Sequence, residues 1–171
     1  MSAGRNFLDD SIARFRSYKR LGERAMEQLD NHQMHWRSDP EGNSVVILVK
    51  HLAGNMRSRW SDYLASDGEK PDRNRDGEFV DDFESREQLM AVWEQGWRTL
   101  FETLEALDES DLERSAPIRG QDHTVIDAIL RQLAHYAYHV GQIVQLARMQ
   151  KGPDAWQTLS IARGKSDEYR P

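Results

Sequence analysis

Val45-Val-Ile-Leu-Val-Lys-His-Leu-Ala53 is the stretch on which the fold turns. Its opening run of five apolar residues is dominated by β-branched side chains, which favour a buried strand. Beyond Lys50, however, Leu52, Met56, Trp60 and Leu64 recur every four residues with His51 beside them. That is the spacing of one helical face. Read as a helix, with Asn43 or Ser44 as N-cap and Asp67-Gly68 as its end, the segment leaves no strand in the chain.

The flanking sequence carries the same period. Upstream, Leu8, Ile12, Phe15, Tyr18, Gly22, Ala25, Met26 and Leu29 form an apolar stripe among charged residues. It predicts a first helix ending around His32 to Trp36, before Asp39-Pro-Glu-Gly-Asn43 breaks the chain. Residues 66–83 are charged, with one Pro and two Gly, and read as a long connection. Ser85-Arg-Glu-Gln88 resembles a capping box, and Leu89, Val92, Trp93, Leu100, Leu104 and Leu107 supply a third stripe. A second polar connection covers Asp108 to Asp122. Thr124 can cap the last helix, whose face runs from Ile126 through Tyr136 and Val140 to Ala147 until Gly152-Pro153 stops it. Trp156 to Ile161 is apolar enough to pack back on the bundle. The reading is all-α, a four-helix bundle forming a single domain over residues 1–171.

Composition narrows the function. The 171 residues carry a formal charge of −6 and a pI near 5.5, against a protein whose main task is to coat nucleic acid. No apolar run approaches the ~20 residues that span a bilayer, and the start Met-Ser-Ala-Gly-Arg lacks a signal-peptide core, so no membrane association and a cytoplasmic location are expected. Zero cysteines remove disulfides, thiolate ligands and cysteine nucleophiles together. Any metal must then be held by imidazole, carboxylate or carbonyl groups.

The chemistry-bearing feature is His135-Tyr-Ala-Tyr-His139. Two imidazoles four residues apart on a helix project from one face and can grip one divalent ion. A third ligand is needed, and the best donor is His51 in the apolar segment. A lone buried histidine is more often a satisfied core residue than a ligand, so the pair and His51 must be tested together. Tyr136 stands where a zincin-type His-Glu-x-x-His motif has its glutamate, so the general base is unassigned. His32 and His35 fall at a helix C-terminus, where imidazole meets the helix dipole, and His123 lies too far along the axis to share the ion. Asn55 and Arg59 continue the His51 face by one and two turns, and Gln142 lies three residues after His139; these are the candidate substrate contacts. Asn55 and Arg59 read equally well as a buried network or an ion pair with the acidic loop. Gly141 reads as a site of close helix approach. Trp60, Trp93, Trp97 and Tyr138 read as core or pocket wall.

His51-Leu52 followed by His135-x-x-x-His139-x-Gly141-Gln142-Ile143 resembles the DinB-like superfamily of four-helix metalloenzymes. The segments Gly54-Asn-Met-Arg-Ser-Arg-Trp60, Ser66-Asp-Gly-Glu-Lys70, Arg75-Asp-Gly-Glu-Phe79, Arg131 to Ile143 and Leu159-Ser-Ile161 are similar to an uncharacterised bacterial subfamily within it. The resemblance implies an up-down-down-up bundle, frequent homodimerisation, and a divalent ion held by His51, His135 and His139. Zn or Ni comes first, with Fe, Mn or Cu as alternatives. Relatives include transferases and isomerases that use a low-molecular-weight thiol, and others labelled metal-dependent hydrolases, so the reaction does not follow from the fold. Two classes of function remain: a small-molecule hydrolase or thiol-dependent transferase, and a non-catalytic metal-binding or dimeric interaction bundle.

Overall fold

Ser44 caps the decisive segment by accepting a hydrogen bond from the Ile47 amide at 3.2 Å, and Val45–Trp60 is a helix in the computed structural model, which describes residues 2–168. Thirteen of its sixteen residues are buried, which explains why its opening turn lacks an amphipathic pattern. A helix enclosed on nearly all sides has no polar face to display.

Among the described residues five α-helices make up the architecture: α1 (Ala3–Met26), α2 (Asn31–Met34), α3 (Val45–Trp60), α4 (Arg86–Ala106) and α5 (Val125–Ala155). Two boundaries differ from the sequence reading. α1 stops at Met26, because Asp30 caps a separate short helix: its side chain accepts from the Gln33 amide and Gln33 reciprocates at the Asp30 amide. α3 ends at Trp60 rather than Asp67-Gly68; Asp62 and Leu64 adopt positive φ and turn the chain. At Ser85 the side chain caps Gln88, but the Gln88 side chain bonds the Glu84 amide instead of completing the box. Thr124 caps α5 as expected, and helical geometry fails at Gly152 (φ 71°). Beyond it, Trp156 and Leu159 pack on the core.

Cross-helix contacts fix the helix directions. Along α1, Arg16 pairs with Glu105, while Lys19 pairs with Glu94 and Glu23 accepts from Trp93 Nε1, so α4 runs antiparallel to α1. Gly96 lies against Ala53, and Thr103 Oγ1 donates to the Trp60 carbonyl at 2.8 Å, so α3 and α4 are parallel. Phe15 meets Tyr136 and Gly22 lies near Val140, so α1 and α5 are parallel. His51 meets His139 while Trp60 reaches Tyr136, which makes α3 and α5 antiparallel. The order is up-down-down-up. Two parallel neighbours cannot be joined by a short turn. Residues 61–85 therefore return along α3 as a crossover, setting Glu69 beside Arg59, Glu78 beside His51 and Asp81 beside Ser44.

Phe15, Trp60, Trp93, Trp97 and Tyr136 form the aromatic centre of the core. Among the described residues no strand occurs, only isolated bridges in residues 115–124. No helix among them is long and apolar enough to cross a membrane.

Candidate metal centre

Tyr136 sets the geometry of the site. Its hydroxyl donates to Asn55 Oδ1 at 3.0 Å and accepts from Trp60 Nε1 at 3.0 Å, pinning α5 to α3 at a fixed register. The neighbouring His135, and His139 one turn on, are thereby turned toward His51. His135 Nε2 lies 3.4 Å from His51 Nε2 and 3.1 Å from His139 Nε2. One ligand atom from each residue lies within 4.8 Å of the others. His51 and His139 are buried and His135 partly so.

The outer nitrogens are also engaged. His51 Nδ1 donates to Glu78 Oε2 at 2.9 Å, His139 Nδ1 to Gln142 Oε1 at 2.8 Å, and His135 Nδ1 faces Gln132 Oε1 at 3.4 Å. With the proton on each Nδ1, three Nε2 lone pairs confront one another without a shared hydrogen. Burial first, then repulsion from His139 and His51, lowers the His135 pKa to about 3. Burial and His51 lower that of His139 to about 4 against the opposing Gln142 bond. Converging imidazoles of this kind fit a divalent ion, which the lone pairs would coordinate, and their outer partners are the groups that orient metal-binding histidines.

Glu78 is the residue that sequence reasoning missed. It belongs to a short 3-10 turn, Asp76–Phe79, in the crossover, and its carboxylate is buried between His51 and Arg73. Arg73 grips it with two bonds, 2.7 and 2.8 Å. Burial raises the Glu78 pKa, but the bonds from His51 and Arg73 outweigh it and hold the group below the usual carboxylate range. Gly54 makes the approach possible, since a Cβ there would overlap the Glu78 side chain. The Phe79 ring covers His51 at 5.1 Å. A faint signal existed in Arg75-Asp-Gly-Glu-Phe79, but nothing local separates Glu78 from the acids around it.

The remaining candidates divide. Asn55 and Arg59 border a cavity of about 360 Å³ that reaches His51 and His135. Arg59 is buried, donating to the Gly68 carbonyl and to Glu69 Oε2 at 3.1 Å. Gln142 lies instead behind His139 and borders the neighbouring cleft. Tyr138 is the wall between the two, while Trp60, Trp93 and Trp97 are core. Gly141 has open space beside it within the chain, so it serves no close helix approach there; Gly96 does, against Ala53. His35 pairs with Asp81 and His123 with Asp127, away from the cluster.

Fold and site together define a helical bundle with a three-histidine cluster, of which His51 and His135 line a cavity. The chain belongs to the family described as protein of unknown function (DUF1572), whose model matches residues 2–165. No curated protein matches it.

Proposed function

We propose that the chain is a divalent-metal-dependent enzyme acting on a small molecule, by hydrolysis or by transfer to a low-molecular-weight thiol, and that its family is a branch of the DinB-like superfamily. His51, His135 and His139 are the ligands in this reading. The observation that carries it is the convergence of three Nε2 atoms beside a cavity of about 360 Å³ that is not sealed by protein. A structural site would be closed by a fourth protein ligand, whereas catalytic sites keep a position free.

Bound there, a divalent ion supplies a Lewis acid that acidifies water or a thiol. The chain's own residues supply orientation. Glu78 orients the His51 ring, Gln142 orients that of His139, Gln132 faces that of His135, and Tyr138 walls the cavity. No carboxylate borders that cavity among the described residues, so none is placed there as a side-chain base, and a proton released from bound water or thiol would pass to solvent. The protein acts in the cytoplasm as a homodimer in this reading; Leu130, Tyr138 and Met149 are large apolar residues exposed along α5.

Cobalt substitution tests the proposal. Visible absorption of the cobalt-loaded protein should change on adding azide or a small thiol, because a free coordination position accepts them. A spectrum indifferent to both would identify an enclosed ion and a non-catalytic bundle.

A further inference from the structure

The cavity that meets the histidines is cationic in a chain of net charge −6. Arg59, Arg73, Arg75, Arg119 and Arg131 all border it, brought there by four different parts of the chain: α3, the crossover, the second connection and α5. The two connections are stitched for this purpose. Asp67 accepts from the Arg119 and Gly120 amides at 2.8 and 2.7 Å, and the Gly68 amide donates to the Pro117 carbonyl at 2.8 Å.

Two carboxylates serve these five guanidinium groups. Glu78 takes Arg73, while Glu69 is shared by Arg59, Arg73 and Arg119 at 3.1, 3.3 and 3.0 Å. Among the described residues Arg131 and Arg75 have no carboxylate partner; Arg75 lies over the Phe79 ring at 5.4 Å. Arg59 Nε is buried without a hydrogen-bond partner. Asp67, which accepts from the Arg119 amide and lies near Arg59, offsets a third charge, so two positive charges are left unbalanced at one concavity, an arrangement that self-repulsion disfavours unless an anion completes it. All five are arginine, the side chain whose planar fork matches two oxygens of one carboxylate or phosphate, whereas lysine would act as a point charge. The cavity volume is that of a small-molecule site, not of a surface that follows a polymer.

We propose that this cavity recognises a small organic anion of at least two negative charges, carried as phosphate or carboxylate, and holds it against the three histidines. The inference deepens the enzyme reading by naming the substrate class of the same site, and its charge argument stands without the metal.

Calorimetric titration of the full chain with inorganic phosphate and with succinate, after metal stripping and again with one equivalent of zinc, tests it. At least one anion should bind the stripped protein saturably. Arg75→Ala and Arg131→Ala should each weaken binding about tenfold while leaving helicity and zinc uptake unchanged, since both side chains are exposed and lack carboxylate partners. Arg148→Ala controls for net charge: it lies on α5 roughly 25 Å along the axis from Arg131 and should change nothing. Preference for phosphate assigns a phosphate-bearing substrate, and preference for succinate a carboxylate. Absence of binding at about 10 mM of either anion, or equal weakening by Arg148→Ala, overturns the proposal. Arginine-dependent binding in a chain that takes up no zinc would retain the anion site and remove the metal-dependent reading; zinc uptake without anion binding would do the reverse.

Discussion

Glu78 connects the cavity's charge to its histidines, because one carboxylate accepts from His51 on one side and from Arg73 on the other. Its removal should therefore be felt at the metal. Glu78→Gln is expected to weaken zinc binding about 10- to 100-fold, measured by competition with a chromophoric chelator; unchanged affinity would mean that the carboxylate does not tune the ligand. Gly54→Ala should weaken it in the same direction with Glu78 still present, since the new methyl group occupies the carboxylate's place. The histidines were legible in sequence because a helix converts the i,i+4 spacing into a shared face, and because His51 interrupts an apolar run. Glu78 was not legible, lying 27 residues from its partner among Asp76, Asp81, Asp82 and Glu84. Gln142 was picked out for its helical offset from His139; its amide oxygen faces that imidazole, and the residue borders the adjoining cleft. Offset along a helix fixes a direction and leaves the partner open.

Between helices, small residues decide how closely backbones approach. An added Cβ at Gly96 would lie 2.9 Å from Ala53 Cα, in the tightly packed parallel pair of α3 and α4. Gly96→Ala should destabilise the fold by about 1–3 kcal/mol through overpacking, read as a lower denaturation midpoint at constant slope. Gly141→Ala, on an open helical position, should instead stabilise by about 0.5–1 kcal/mol; a loss there would show that a second copy of the chain packs on that face. The existence of the four long helices followed from apolar period alone, and the caps Ser44, Ser85 and Thr124 were readable as residue types. The ends of α1 and α3 were not. Apolar spacing continued past Met26 to Leu29 and past Trp60 to Leu64, while Asp30 and the positive-φ residues Asp62 and Leu64 redirected the backbone. Local capping and turn geometry override a stripe that runs on into a loop.

For the molecule as a whole, the up-down-down-up order is what assembles the site. It sets α3 and α5 antiparallel so that His51 meets His139 and His135, and it demands the crossover that delivers Arg73, Arg75 and Glu78. Periodicity indicates the number of helices but not their order around the bundle, which emerged from the contacts and had been implied only by the family resemblance. Because the three histidines come from two elements, a bound ion should tie them together: zinc at about 100 times its Kd is expected to add about 2.7 kcal/mol of stability, a rise of roughly 5–10 °C in Tm. A Tm indifferent to zinc and chelator would contradict this. The most direct test of the central claim is elemental analysis of native protein purified without an affinity tag or chelator, beside a variant in which His51, His135 and His139 are all Ala. One divalent ion per chain in the native protein and essentially none in the variant is the predicted result; a metal-free native protein, or equal metal content in both, would contradict it.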